Sequence, residues 1–282
     1  MSTMKCLVAT ILAVLLTGCG VTGGGSGQIA YSNTVDGAWQ IFVMEADGTR
    51  ALQLTDDPSF HWGPVWSPDG RELAYTGDYS GNREIMAISP EGLGVIRQIT
   101  ENDRVDEDPT WSPDGERLAF ASNFGDRFEL VVMNADATDL RQLTDNSFDD
   151  IHPVWSPDGR HLAFASDRDG DYEVFVMDYN TRVVKQLTDN DSMDGFASWS
   201  PDGTRIAFGS ARDGDWEIFV AKADGTDPQQ LTFNEVDDHT PVWSPEGDRL
   251  AFNSYRDGGY AMWMMNADGS GQIRLTDNGA EK

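Results

Sequence analysis

Between residues 28 and 282, apolar positions fall in short runs separated by turn residues, and none keeps a 3.6-residue period long enough to predict a helix. Runs of the type LAF and EIFVM are almost continuously apolar, the pattern of strands covered on both faces. A shorter PVW run precedes Ser-Pro-Asp-Gly, where proline presets the second turn residue and glycine accepts a positive φ. The order then repeats: PVW strand, SPDG turn, LAF strand, a loop of the RDGDYE kind, EIFVM strand, an NADG turn, a short strand ending in QLT, and an acidic loop. Each unit therefore predicts a four-stranded antiparallel meander.

The repeat has a fixed length. Trp66, Trp111, Trp155, Trp199 and Trp243 each open a WSPDG-type turn, at spacings of 45, 44, 44 and 44 residues. Periods of this size mark solenoids, propellers or arrays, and four strands per period mark a propeller blade. The LAF-type strand and the closing Thr both occur six times, the latter at Thr55, Thr100, Thr144, Thr188, Thr232 and Thr276, against five WSPDG turns. Six units of 44 residues would need nine more positions than residues 28–282 supply, about one PVWSPDG segment. The expected fold is all-β: a six-bladed propeller of four-stranded antiparallel blades with the first blade incomplete. That blade should have three good strands and at most a weak fourth near Val21, and the tryptophans should pack between blades.

The consensus WSPDGxxLAFxSxRDGxxEIFVMNADGxxxxQLT resembles the propeller repeat of the TolB translocation protein family over nearly all of 28–282. The resemblance implies a cell-envelope propeller that binds other proteins. Two features depart from that family. Its members carry an α/β domain before the propeller, where this chain has a short tether. They are also soluble in the periplasm, where this chain carries the signature of a lipid anchor.

That signature lies in the first residues. Lys5 precedes the apolar run CLVATILAVLL, too short to span a bilayer, and LTGC (16–19) follows in the order of a lipobox. Residues 1–18 are expected to be a lipoprotein signal peptide, Cys19 the lipidated residue, and 19–27 a glycine-rich tether ahead of the propeller at 28–282. Gly20, rather than Asp, follows the cysteine, which favours the outer membrane, facing the periplasm, if the cell is Gram-negative. Cys6 would leave with the signal, so no disulfide remains within the chain. A formal net charge of −28 repels nucleic acid and anionic lipid surfaces and leaves cations, basic proteins and neutral glycans as partners.

The charge is uneven. Alternate turns of a meander lie at opposite ends, so the acidic loops after each LT share the channel's top rim with the RDG loops. Five of these loops carry sixteen carboxylates against one base, Arg104. Asp106, Glu107, Asp149, Asp150, Asp194, Asp237 and Asp238 are the candidate partner-binding residues. Arg168, Arg212 and Arg256 are expected to pair with nearby carboxylates. His61, His152 and His239 sit three to five residues before their tryptophans and, converging with carboxylates, would suit a divalent cation such as Ca, Zn or Mn in the channel. There is no GxSxG and no phosphate-cradling glycine loop. Two readings follow. One is a monomeric, lipid-anchored scaffold that binds a basic envelope protein or peptide through its acidic top face, with no cofactor. The other is a metal-dependent polysaccharide-processing enzyme, as in the similar oligogalacturonate lyases, with a His/Asp site at the channel mouth.

Overall fold

A computed structural model describes residues 13–15, 27–78, 81–91 and 96–276. They form six antiparallel sheets, each ordered inner, second, third, outer strand along the chain. The inner strands of blades 2 to 6 are His61–Trp66, Asp106–Trp111, Asp150–Trp155, Asp194–Trp199 and Asp238–Trp243. Inner strands of successive blades touch one another around the ring and so enclose the central channel. The expected six-bladed propeller is the observed fold.

Each interface between blades is one apolar cluster. Trp66, Leu73 and Tyr75 of blade 2 pack on Ala30, Ile41 and Val43 of blade 1, and Trp155, Leu162 and Phe164 of blade 4 pack on Leu130, Val132 and Leu143 of blade 3. Tyr75, Phe120, Phe164, Phe208 and Phe252, the third residues of the LAF-type runs, are all fully or almost fully buried. The tryptophans therefore do lie between blades, with Trp66, Trp155 and Trp243 buried and Trp111 and Trp199 half-buried.

Both turn types also serve the interfaces. In blades 3 to 6 the positive-φ glycine of the SPDG-type turn faces the proline of the preceding blade, as Gly159 meets Pro113 and Gly203 meets Pro157. Glycines of the DG turns lie against the leucine that ends the preceding blade, Gly225 on Leu187 and Gly269 on Leu231. Gly48 of blade 1 meets Leu275 of blade 6 in the same way. The ring thus closes by repeating its internal interface, with Met262 and Met264 packed on Ile29, Tyr31 and Met44. Blade 6 supplies all four of its own strands, so no strand is exchanged across the seam.

The six threonines have one task. Each accepts, on its hydroxyl, the backbone N–H of a third-strand residue: Ile41 to Thr55, Ile85 to Thr100, Leu130 to Thr144, Val174 to Thr188, Ile218 to Thr232 and Met262 to Thr276, at 2.8–2.9 Å. The outer strands are only two or three residues long, so these hydroxyls satisfy donors that a longer strand would have paired.

Blade 1 has three regular strands. The slot of its inner strand holds the three-residue segment Ala13–Leu15, paired Ala13↔Tyr31, Val14↔Ala30 and Leu15↔Ile29. Leu15 thus takes the register position of tryptophan in the other blades, for example Trp66↔Leu73. This segment lies upstream of the expected one and inside the expected signal peptide, so cleavage before Cys19 would leave blade 1 with three strands; Val21 and Cys19 lie outside the described residues.

Candidate functional site at the channel mouth

Every complete inner strand is bulged. Pairing with the second strand slips between Trp62 and Val65, Glu107 and Thr110, Ile151 and Val154, Gly195 and Ser198, and His239 and Val242. The first bulged residue has positive φ in each case: Gly63, Asp108, His152, Phe196 and Thr240, between 51° and 63°. In four of the five a proline follows, which lacks the N–H a regular ladder requires. In blades 2 and 3 the bulge N–H donates to a hydroxyl of the preceding blade, Gly63 to Ser32 and Asp108 to Thr76, both at 3.1 Å. Left-handed backbone at a β-branched or bulky residue, as at Thr240 and Phe196, is uncommon and gathers at functional sites. The sequence signal for this was the proline two residues before Trp, which the repeat pattern alone left unread.

The bulges bring unlike side chains together at the mouth. His152 Nε2 stands 3.4 Å from Asp108 Oδ2. Glu107 Oε2 accepts from Arg83 at 2.5 Å. The Phe196 ring lies between His152 and His239, with centroids 4.7 and 5.8 Å away, and Trp216 meets it edge-on at 5.6 Å. His239 continues to Tyr260 at 5.2 Å, and Tyr260 to Tyr255 at 4.9 Å. Across blades 1 and 2 a second run forms, with Trp39 edge-on to Trp62 and Phe60 stacked on Trp62. Arg127 bonds Asp149 at 3.1 Å and lies 3.5 Å from Asp167.

The electrostatics follow from crowding. Burial raises Glu107, the Asp108 charge raises it further, and Arg83 opposes both. Burial also raises Asp108. Tyr172 is pushed up to about 12 by burial and then by Asp149 and Asp167. Burial pushes His152 down to about 4 against the pull of Glu107, and His239 down to about 3. Both imidazoles are therefore neutral at pH 7, and the carboxylates beside the aromatic faces are met by only two guanidinium groups, those of Arg83 and Arg127. Titratable groups shifted by burial together with a specific charge partner mark a candidate functional site.

The seven candidate carboxylates divide into two sets. Asp106, Asp150, Asp194 and Asp238 are fully buried and belong to a corner repeated in each blade. Asp194 accepts from Asn190 at 2.8 Å and from Arg212 at 2.9 Å, while the Asn190 N–H reaches Glu173 at 2.6 Å. Asp150 has Asn146 and Arg168, Asp238 has Asn234 and Arg256, and Asp106 has Asn102 and Ser122. The RDG arginines are thus ion-paired as expected, but with the acids taken for partner contacts. Those four carboxylates are corrected to framework residues, because their oxygens face the protein interior. Glu107, Asp149 and Asp237 do reach the mouth. Asp149 and Asp237 also hold the backbone N–H of Phe128 and Trp216.

The histidine expectation is corrected as well. Among the described residues, no three His, Cys, Asp or Glu side chains are grouped so as to hold a metal ion. His61 is fully buried 3.1 Å from Asp57. This pair occupies the corner positions that hold Asp and Asn in the next four blades, with the acid and its partner exchanged. Phe196 separates the other two histidines.

A closed six-bladed propeller of four-stranded antiparallel blades, its inner strands bulged at the channel mouth, is the class of protein defined by these observations. The chain belongs to the TolB beta propeller domain family, whose pattern matches residues 23–153 and 149–282. Segments of 75 and 60 residues are 33% and 40% identical to the Tol-Pal system protein TolB of Desulfosudis oleivorans and of Syntrophotalea carbinolica. These segments cover 27% and 21% of this chain but only 15% and 14% of those proteins. The fold superposes on TolB from Acinetobacter baumannii with a TM-score of 0.82 at 23% identity, over 92% of this chain and 66% of that one. An oligogalacturonate lyase in complex with manganese shares the fold at a TM-score of 0.63 and 16% identity, over 88% of this chain and 73% of that one.

Proposed function

We propose that this chain is a cell-envelope scaffold, anchored through lipid on Cys19, whose channel mouth binds a basic segment of a partner protein. The observation that carries the reading is the mouth itself: raised, mutually repelling carboxylates Glu107 and Asp108, two neutral histidines, and aromatic rings held by a strained bulge. A cationic segment placed there relieves the repulsion and gains contact with the rings. Family membership supports the envelope location and protein binding in general. The earlier alternative, a metal-dependent polysaccharide enzyme, has no ligand set among the described residues to support it.

The test is capture of a partner from envelope extract by the full chain, followed by titration at several salt concentrations. Affinity is expected to fall as salt rises, and to fall again in Glu107→Gln, Asp149→Asn and Asp237→Asn. Binding indifferent to salt and to all three changes would reject the reading. Metabolic labelling with a fatty acid, lost in Cys19→Ala, tests the anchor separately.

A further inference from the structure

A second site lies at the opposite end of the ring. Where the SPDG turns of blades 4 and 5 meet, a groove of about 660 Å³ is floored by Trp199 and bordered by His161, Lys185, Asp158, Asp178 and Asp224. The repeat itself shows what belongs there. In blades 3, 4 and 5 the residue that opens the second strand lies by the tryptophan of the next blade. In blade 3 it is Arg117, whose guanidinium is 5.2 Å from the Trp155 ring centroid and 3.0 Å from Asp114. In blade 5 it is Arg205, 4.3 Å from the Trp243 ring centroid. Both covered tryptophans are buried. In blade 4 the position is His161, whose ring is 6.4 Å from that of Trp199, and Trp199 is left half-buried. In blade 2 the matching residue is Glu72, just before the strand and engaged with Arg97 at 2.8 Å, and the next tryptophan, Trp111, is half-buried as well.

The groove also has the charge for a cation. Asp158, Asp178, Asp202 and Asp224 line it, against one ammonium, that of Lys185, which donates to the Asp224 carbonyl at 2.7 Å. Each of these four carboxylates holds its own turn through Oδ1 alone: Ser156 and the Arg160 N–H on Asp158, Thr181 and the Asn180 N–H on Asp178, Ser200 and Thr204 on Asp202, and Thr226 on Asp224. The Oδ2 atoms take no part in these bonds. Planar donors in a fork match an aromatic face bordered by carboxylate oxygens better than an ammonium does.

We infer that this groove is a guanidinium site, occupied by an arginine side chain of a basic peptide segment, which takes in trans the place that Arg117 and Arg205 take in cis. The site stands apart from the mouth and does not depend on the function proposed for it.

The test uses the full chain, labelled so that indole N–H signals are resolved, with the Trp199 signal assigned through Trp199→Phe. Acetyl-Gly-Arg-Gly-amide is titrated beside its lysine and citrulline counterparts. The arginine peptide should move the Trp199 signal, with the citrulline peptide, isosteric but uncharged, about tenfold weaker and the lysine peptide between them. His161→Arg, which fills the groove from within, should abolish the shift, whereas Glu107→Gln at the mouth should leave it intact. Equal response to citrulline, an unchanged response in His161→Arg, or a Trp199 signal moved only by a neutral oligosaccharide would each overturn the inference.

Discussion

Single residues in this ring are judged by what the neighbouring blade does to them. Phe164 is completely buried and 5.8 Å from Phe175, so Phe164→Ala should cost about 3–5 kcal/mol, read from denaturant unfolding. Thr144 is almost buried and accepts the Leu130 N–H at 2.9 Å. Thr144→Val keeps the shape but orphans that donor, and should cost about 1–3 kcal/mol in the same assay. His152 makes a prediction in pH. Its folded pKa, about 4, lies below the ordinary value of 6.5, so the native state binds fewer protons between those limits. Its contribution is complete above pH 6.5 and is lost as pH falls toward 4. The stability difference between wild type and His152→Asn should shrink over that window. Glu107 has the opposite sign: its raised pKa removes stability as pH rises, and the comparison of variants separates the two. Burial of the LAF phenylalanines was readable from residue type and repetition. The depression of His152 was not, since Asp108 and Phe196, which crowd it, come from other blades 44 residues away in sequence.

At the scale of one blade, the recurring unit is a polar corner as much as a sheet. The Thr comes two residues after the outer strand, and the Asn two residues later gives its N–H to the third-strand Glu and its amide to the next blade's first Asp. The RDG arginine closes the corner while lying over an aromatic ring, as Arg212 does over Phe219 at 4.3 Å. Removing only the cation leaves a buried charge half-compensated. Arg212→Met should therefore cost about 3 kcal/mol in thermal or denaturant unfolding, and the Asp194→Asn, Arg212→Met double variant should lose less than the sum of the two single changes. The four strands and their turns were legible because proline, glycine and unbroken apolar runs act locally. The corner was not, because an Asp on an acidic loop reads the same whether it faces water or an arginine. Only the bulge beside it, signalled by Pro64, Pro109, Pro153 and Pro241, was written in the chain and available to be read.

Taken whole, the molecule closes by packing alone. Gly48 and Gly37 both have φ near +80°, but a Cβ on Gly48 would meet the Leu275 carbonyl oxygen at 2.8 Å, while one on Gly37 meets nothing within 4 Å. Gly48→Ala should therefore lower the Tm clearly more than Gly37→Ala, and an equal loss would mean that the seam between blades 6 and 1 opens without cost. The net charge of −28 adds a second expectation. Screening relieves self-repulsion, so the Tm should rise between about 10 and 200 mM NaCl, even as binding at the mouth weakens.

The amino-acid sequence by itself determined the period, the number of blades, the incomplete first blade and the chemistry of the turns. These depend on φ preferences and on burial patterns within one unit of 44 residues, and each unit repeats the instruction. Only the tertiary structure decided which acids are framework and which stand toward the mouth, that three histidines do not meet, and that Trp199 has an imidazole beside it where Trp155 and Trp243 have a guanidinium. Those outcomes depend on which side chain of one blade lies over which side chain of the next, and distance between blades is a property of the closed ring.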